Sequence, residues 1–373
     1  MPPGTETAAF DSARLDAVVP GLLSRYHVAG AGIGVIRDGR LVWDGYYGEQ
    51  RAGVAASART VFNTASVEKT VTAETLLALA AKGLIDLDEP IAGHVSEPDL
   101  ERDPRYKLLT PRLLLSHRAG LLNWPYSYDD GRLAFVHDPG TRFSYSGAGV
   151  DLAARYAEKK LGRDFEALAF EHLLRPNGVE ELSMGRLRPW LADRLATPMD
   201  AKGHYDTEGR LAPRLAKGTV GDWSAADDLL TTVEAYSRLL EGLIRSDWLT
   251  PELVAERARI LTSLVGDPVW GCEPAPDVRC ARAYGHGIGW MVYEYADKTV
   301  LIHGGNDAGE NALVYYSPKT RSGAVILVNG GNGIFVTTHV LELVGDQPEL
   351  AAYYRQLVKK HYGVTLAPIV EAR

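Results

Sequence analysis

The stretch that decides the fold is Val-Phe-Asn-Thr-Ala-Ser-Val-Glu-Lys at residues 61–69, in which a short extended run passes into a helix. Ser66 stands at the beginning of that helix, where serine is a favoured capping residue. Apolar and small residues recur along it until Gly83, which predicts a helix over residues 66–83 with one buried side. Because residues three apart share one face of a helix, Lys69 is expected beside the Ser66 hydroxyl.

This pair has the chemistry of a nucleophile and its base. A serine hydroxyl is a poor nucleophile until a neighbouring group takes its proton. A lysine can take that proton in its neutral form, which burial favours. The helix N-terminus adds backbone N–H groups that stabilise a developing oxyanion. Ser66 and Lys69 are therefore candidate catalytic residues, and the alternative for this motif alone is a solvated helix face.

Other common catalytic signatures are absent from the sequence. It contains no G-x-S-x-G, H-E-x-x-H or G-x-G-x-x-G motif and no Walker lysine loop. Its ten histidines show no ligand-like spacing, so no metal site is predicted.

The two ends of the chain carry the β-type patterns. Near the N-terminus a helix over residues 10–26 precedes a hairpin of strands 31–36 and 41–46, joined by the turn dipeptide Asp38-Gly39. Further strands and helices are predicted near the C-terminus, at residues 299–302, 312–316 and 324–328 for the strands and 337–344 and 349–361 for the helices.

The middle of the chain has a different composition, which is rich in Pro, Asp and Arg. Additional helices are predicted at residues 111–118, 150–161, 165–174 and 227–245. We therefore expect an α/β (α+β) fold, in which a mainly antiparallel sheet flanked by helices is built from residues 1–84 and 216–373. Residues 85–215 would form a mainly helical inserted domain, with the active site in the cleft between the two parts.

Composition excludes several classes of partner. The chain has 373 residues and a formal net charge of −8, which gives no electrostatic reason to bind nucleic acid or anionic lipid. No apolar run approaches the roughly 20 residues that a membrane span needs. The N-terminal residues show no signal-peptide pattern. A cytoplasmic location is expected if this N-terminus is native, and a periplasmic or secreted one if a signal peptide was removed.

The two cysteines, Cys272 and Cys280, leave two alternatives open. A zinc site fits poorly because no second Cys or His pair lies nearby. A small loop disulfide would indicate an oxidising compartment, whereas two free thiols would suit a reducing one. The sequence does not fix the oligomeric state.

Several blocks, in order, resemble the serine β-lactamase and penicillin-binding-protein superfamily, closest to the class C β-lactamase-like branch with its family VIII esterases and D-aminopeptidases. They are the Ser-Val-Glu-Lys run at 66–69, Lys-Gly-Leu-Ile-Asp-Leu-Asp-Glu-Pro at 82–90, and Leu-Leu-Leu-Ser-His-Arg-Ala-Gly-Leu at 113–121. The resemblance covers roughly residues 10 to 340. It implies a β-lactamase/transpeptidase-like fold and acyl-enzyme chemistry.

The resemblance assigns a second catalytic element to Tyr145, Ser146 and Gly147. The corresponding tyrosine works with the lysine in proton relay, since a phenol can act as acid to the leaving group and a phenolate as base. The alternative for Tyr145 is a half-buried core aromatic.

A third element would be His303, Gly304 and Gly305, at the end of a strand that edges the site. The glycines would let a substrate approach the backbone closely. The Asn306 N–H would join the Ser66 N–H as the oxyanion hole. The alternative for His303 is a satisfied structural histidine.

Two departures from the family pattern bear on the substrate. The middle motif of β-lactamases and D,D-peptidases usually ends in Asn, which binds the substrate's acylamido group, but this chain has Gly147. Their third motif begins with a lysine that binds the substrate carboxylate, whereas His303 is ordinarily largely neutral at pH 7. These changes argue against efficient β-lactam or peptidoglycan turnover and favour a neutral or weakly polar ester.

The leading hypothesis is thus a serine hydrolase of carboxylic esters, which needs no cofactor and acts on a small ester or amide. Trp124, Tyr126 and Tyr128 are candidate pocket residues, the alternative being scattered surface aromatics. Acyl transfer, D-amino-acid amidase or weak β-lactamase activity on the same machinery remain alternatives. A non-catalytic binding protein is a further one.

Overall fold

The computed structural model describes residues 10–191, 193–209 and 223–369. Its main element is a nine-stranded antiparallel sheet with strand order β3-β2-β1-β12-β11-β10-β9-β8-β7. The strands, with those of a small second sheet, are β1 Gly30–Arg37, β2 Arg40–Arg51, β3 Val54–Ala55, β4 Phe62–Asn63, β5 Leu182–Met184, β6 Leu229–Thr231, β7 Thr262–Ser263, β8 Ala283–His286, β9 Met291–Glu294, β10 Thr299–Asn306, β11 Asn311–Ser317 and β12 Ser322–Asn329.

Helices cover both faces of this sheet. They are α1 Ser12–Tyr26, α2 Glu68–Ala81, α3 Pro111–Leu115, α4 Gly147–Leu161, α5 Phe165–Ala169, α6 Val233–Arg245, α7 Pro251–Arg257, α8 Gly333–Val344 and α9 Pro348–Tyr362. One apolar core joins the sheet to α1, α8 and α9, and a second joins its other face to α2, α4 and α6. Strand β12 is buried along its whole length, because a strand covered on both faces has no solvent side.

The predicted joining of the two chain ends is confirmed. Strand β1 pairs with β12 in antiparallel register, with Ile33 opposite Ile326. The predicted N-terminal hairpin and the three C-terminal strands are present, as are α1, α8 and α9. The predicted fold class, a mainly antiparallel sheet flanked by helices, is therefore confirmed.

One predicted helix is partly wrong. The segment predicted as a helix over residues 227–245 begins its helix only at Val233, because Thr232 caps it by accepting the Ala235 N–H at its hydroxyl. The preceding Leu229–Thr231 is strand β6, which pairs with β4 and β5 in a small sheet of order β4-β6-β5. Apolar residues in so short a run fit a strand or a helix equally well.

Other differences are at element ends and in short strands. The helix predicted over 111–118 ends at Leu115, and the one over 165–174 is α5 followed by a π-helical turn, Phe170–Leu174. Strands β7 to β9 were not predicted, since they are two to four residues long and separated by irregular segments. Cys272 and Cys280 form a disulfide in the loop between β7 and β8.

The predicted division into domains at residue 84 stays a prediction, and its second boundary at residue 215 lies outside the described residues. Within the described ranges, no helix is long and apolar enough to cross a membrane.

A buried ion pair fixes helix α2 against α7. Arg257 Nη1 lies 3.3 Å from Glu74 Oε2, and both side chains are almost wholly inaccessible to solvent. The indole N–H of Trp290 donates to the other carboxylate oxygen at 2.8 Å. Burial raises the pKa of Glu74, against the lowering effect of Arg257.

We expect Glu74→Ala to lower the free energy of unfolding by about 3–5 kcal/mol, since it leaves the Arg257 charge buried without its partner. The measurement is urea denaturation. The matched control is Glu234→Ala, which removes an exposed i,i+4 pair with Arg238 and should cost no more than about 0.5 kcal/mol. Equal losses in the two variants would contradict the expectation.

Candidate active site

The turn before helix α2 presents Ser66. Strand β4 ends at Asn63, whose Oδ1 accepts the Ala65 N–H at 2.9 Å. Ala65 has a φ of +46°, a left-handed conformation that is strained for a residue other than glycine. The Thr64 N–H donates to the Leu229 carbonyl at 2.9 Å, which ties the turn to the small sheet. A 3₁₀ turn, Ala65–Val67, then leads into α2.

Ser66 and Lys69 lie together, as the spacing predicts. Lys69 Nζ is 2.8 Å from Ser66 Oγ and donates to the Ala226 carbonyl at 2.6 Å. The Lys69 side chain is fully buried. The amine is thus fixed between the serine and one backbone carbonyl.

Asp227 is a site residue that the sequence reasoning missed. The Ser66 hydroxyl donates to Asp227 Oδ1 at 3.1 Å. Burial raises the pKa of Asp227 to about 7, against the lowering effect of Lys69. No sequence motif links positions 66 and 227. The segment that carries Asp227 was predicted only as part of a helix over residues 227–245.

A second carboxyl group supports the Asp227 backbone. Glu68 Oε2 accepts the N–H groups of Asp227 and Asp228, each at 2.7 Å. Burial, followed by the neighbouring Asp228, raises the pKa of Glu68 to about 8. Glu68, one of the two residues between Ser66 and Lys69 in the motif, therefore holds the segment that carries Asp227.

Tyr145 lies beside Lys69, with its ring centroid 5.1 Å from Nζ. Its ring packs among three buried imidazoles, with centroid distances of 4.4 Å to His117, 6.2 Å to His286 and 6.4 Å to His303. The structure therefore brings together Ser66, Lys69, Tyr145 and His303, as the resemblance implies. Their catalytic roles stay predictions.

The three imidazoles are neutral at physiological pH. Burial lowers the pKa of His303 to about 3, with a contribution from Lys69, and that of His286 to about 3. The pKa of His117 lies well below its ordinary value, first because of burial. His303 therefore carries no charge with which to bind a substrate carboxylate.

Gly147 and Trp124 are complementary in shape. A Cβ atom at Gly147 would lie 2.4 Å from the Trp124 ring, so the indole occupies the space of a side chain there. The same ring lies 5.7 Å from Lys69 Nζ. The Gly147 N–H donates to Asn123 Oδ1 at 2.8 Å, which places a side-chain amide beside the position where relatives have one. Sequence reasoning did not identify Asn123.

Of three other candidates, Ser146 and Tyr128 have mainly structural contacts and Tyr126 is largely exposed. Ser146 is the N-cap of α4: its Oγ accepts the Gly149 N–H at 2.9 Å and donates to the Leu122 carbonyl at 2.8 Å. Tyr128 accepts the Leu122 N–H at its hydroxyl, at 2.7 Å, and does not line the cavity next to Ser66. Tyr126 is 79% exposed. Their roles in substrate binding stay predictions.

The end of strand β10 closes the site beside the serine. A Cβ atom at Gly305 would lie 2.0 Å from the Thr64 carbonyl oxygen and 3.2 Å from the Ser66 nitrogen. Glycine is therefore required for the strand to approach the nucleophile turn. Asn306 follows at an exposed position, and its Oδ1 accepts from Asn311 Nδ2 at 3.0 Å. An oxyanion hole formed by the Ser66 and Asn306 N–H groups stays a prediction.

A cavity of about 610 Å³ opens next to these residues, and Ser66, Asn123, Tyr145, His303 and Gly304 are among its lining residues. No group of three or more His, Cys, Asp or Glu side chains in the described ranges is placed to hold a metal ion. The arrangement brings a hydroxyl, an amine, a phenol and a carboxyl group together beside a cavity whose described lining residues include no Lys, Arg, Asp or Glu.

Comparisons with known proteins agree on one family. A family model described as Beta-lactamase matches residues 15–343. Penicillin-binding protein 4 of Amycolatopsis lactamdurans is 25% identical over 356 residues, covering 90% of each chain. Protein flp of Staphylococcus aureus (strain MW2) is 22% identical over 334 residues, or 85% of this chain, which spans 62% of the length of that relative.

Solved structures of other proteins share this fold. The octameric penicillin-binding protein homologue from Pyrococcus abyssi aligns with a TM-score of 0.74 at 20% identity, over 94% of this chain and 82% of the other. A likeness at this identity shows a shared fold.

We expect Gly305→Ala to slow the labelling of Ser66 by a small serine-reactive phosphonate by about 100-fold, because the added methyl group displaces the strand from the nucleophile turn. The matched variant is Gly304→Ala, whose Cβ would meet nothing closer than 3.8 Å. Its rate of Ser66 labelling should fall by no more than about tenfold. Intact-protein mass against time gives both rates. Similar losses in the two variants would show that the close approach is not needed.

Proposed function

This chain belongs to the Beta-lactamase family, and on that premise we propose that it is a serine hydrolase that cleaves carboxylic esters through an acyl-enzyme intermediate. The observation that carries the proposal is the contact of 2.8 Å between Ser66 Oγ and the fully buried Lys69 Nζ at the mouth of the cavity. A buried amine in hydrogen-bond reach is the activating group that a serine nucleophile requires.

In the acylation step Ser66 Oγ forms a bond to the ester carbonyl carbon. The hydroxyl turns from Asp227 towards Lys69, which takes its proton together with Tyr145, and the carbonyl electron pair moves onto the oxygen. Backbone N–H groups of Ser66 and Asn306 would stabilise that oxyanion. The Asp227 carboxylate, whose Oδ1 accepts a hydrogen bond from Ser66 Oγ at 3.1 Å, would orient the serine before attack.

Collapse of the tetrahedral intermediate breaks the bond to the alcohol. The leaving oxygen takes a proton through Tyr145, which is re-protonated from Lys69 Nζ close to its ring. Water then attacks the acyl-enzyme and gives its proton to the same base, which releases the acid and restores Ser66.

The site favours neutral esters over β-lactams. The neutral His303 offers no cation for a substrate carboxylate, and the pKa of its imidazole is lowered to about 3. Trp124 fills the space in which an asparagine at position 147 would bind an acylamido group. Neither difference weakens the acyl-enzyme chemistry, which depends on Ser66 and Lys69.

A second candidate is hydrolysis of an amide, as in a D-amino-acid amidase. The observation that favours it is the Asn123 side chain, which lines the cavity and binds the Gly147 N–H. This amide supplies a contact of the kind that Gly147 lacks. Comparing p-nitrophenyl butyrate with a D-amino-acid p-nitroanilide and a chromogenic cephalosporin ranks the ester, amide and β-lactam activities.

The nucleophile is tested by intact-protein mass after incubation with a small serine-reactive organophosphonate. We expect one adduct on the wild type and none on Ser66→Ala, together with p-nitrophenyl acetate and butyrate turnover that is lost in the variant. Thermal unfolding of both proteins controls for the fold. Absence of both adduct and turnover at any pH from about 6 to about 10 would refute the proposal and favour a binding protein.

Asp227 gives the reaction a pH dependence. Its pKa of about 7 means that the carboxylate forms as pH rises through 7 and is lost as pH falls below it. We therefore expect kcat/KM of the wild type to fall as the pH drops through about 7, towards the value of Asp227→Asn. Asp227→Asn should lower kcat/KM above pH 7 and lose this inflection. An unchanged inflection in the variant would assign it to another group.

A further inference from the structure

We propose that the cavity at Ser66 continues around the free edge of strand β10 and binds a long, uncharged apolar chain of the ester substrate. The inference rests on the proposed function and adds the class of substrate. It is carried by the pairing of the sheet, by Gly304, and by the residues of helix α9 that line the far part of the cavity.

The sheet has an opening beside the nucleophile. Strand β9 pairs with β10 only as far as Ile302, which lies opposite Met291. The last four residues of β10, from His303 to Asn306, pair with β11 alone. Among the described residues no strand lies beside their other edge, so a ligand can pass from the Ser66 face of the sheet to the opposite face.

Gly304 lies at this passage. Side chains alternate along a strand, so position 304 faces the side of the sheet opposite to Gly305 and the nucleophile turn. A Cβ atom there would have only Ala312 O and Leu313 Cδ1 within 4 Å, each at 3.8 Å. The missing side chain keeps the passage open.

Beyond the passage, helix α9 forms one wall of the cavity. The wall residues follow the spacing i, i+3, i+4, i+7 and i+8 of a single helix face and are Tyr354, Leu357, Val358, His361 and Tyr362. At 1.5 Å per residue the stripe is about 12 Å long. Leu313 of β11 and Ile334 of α8 also line the cavity.

A loop closed by the disulfide completes the wall. Trp270 precedes Cys272 and packs on His361 with ring centroids 5.6 Å apart. Its carbonyl accepts the Tyr353 hydroxyl at 2.7 Å, and the Cys272 N–H donates to the Tyr284 hydroxyl at 2.8 Å. These bonds hold the indole in place, so the wall exists before a ligand binds.

The lining defines the ligand chemistry. None of the described lining residues is Lys, Arg, Asp or Glu. Val269 and Tyr362 at the rim are 46% and 49% exposed, which leaves apolar surface in water until a chain covers it. A volume of about 610 Å³ is far larger than an acetyl group needs. An unbranched hydrocarbon chain fits this lining.

Two substrate series test the inference on the wild-type enzyme. One varies the acyl chain of p-nitrophenyl esters from acetate to dodecanoate, and the other varies the alcohol of acetate esters, with acid release followed by pH-stat. We expect kcat/KM to rise by about threefold per added methylene over several methylenes in one series. The series that responds shows whether the acyl or the alcohol side binds in the cavity.

The variant Leu357→Trp fills the far part of the cavity. We expect it to reduce the ratio of kcat/KM for long-chain esters to kcat/KM for short-chain esters by at least about tenfold. Lys359→Trp places the same side chain at an exposed position of α9 outside the lining and should keep the wild-type ratio. Leu357→Ala, which enlarges the cavity, should move the optimum to longer or bulkier chains.

Flat profiles in both series would overturn the inference, as would a ratio that Leu357→Trp leaves unchanged. Labelling of Ser66 by a small phosphonate keeps these results apart from failure of the proposed function. Labelled enzyme with flat profiles contradicts only the chain-binding cavity, whereas unlabelled enzyme contradicts the hydrolase itself.

Discussion

The burial of one amine constrains the rest of the site. Lys69 Nζ is out of reach of water and is held between Ser66 Oγ and the Ala226 carbonyl. A buried amine without such partners would cost several kcal/mol, so the segment before β6 must lie against helix α2. That requirement places Asp227 next to Ser66. The small sheet then fixes both segments, because β4 leads into the nucleophile turn and β6 follows Asp227.

The features that the sequence predicts well depend on residues that are close together along the chain. Ser66 and Lys69 are three residues apart, so helix geometry alone brings them together. The long strands of the main sheet are also readable, because their apolar runs are bounded by turn residues. Family resemblance adds Tyr145 and His303, which no local pattern connects to Ser66.

What the sequence does not predict depends on contacts between distant segments. The bond between Ser66 and Asp227 spans 161 positions, and the residues around Asp227 were assigned to a helix. The small sheet escaped prediction because its strands have two or three residues. From the sequence alone, Trp124 is a candidate pocket residue and Gly147 is the loss of the family's asparagine side chain. In the structure the Trp124 indole occupies the space that a side chain at position 147 would fill. Such complementarity needs both positions in three dimensions.

The buried groups around Ser66 also reverse the usual order of protonation. In most sites an imidazole titrates near neutrality and carboxyl groups stay ionised. Here the pKa of His303 is lowered to about 3, while the pKa values of Asp227 and Glu68 are raised to about 7 and about 8. A rise in pH through about 7 and about 8 therefore adds negative charge at Asp227 and Glu68, while the His303 imidazole stays neutral. We therefore expect ionised Asp227, which lies beside Ser66, to repel the carboxylate of an acid product at pH values above about 7.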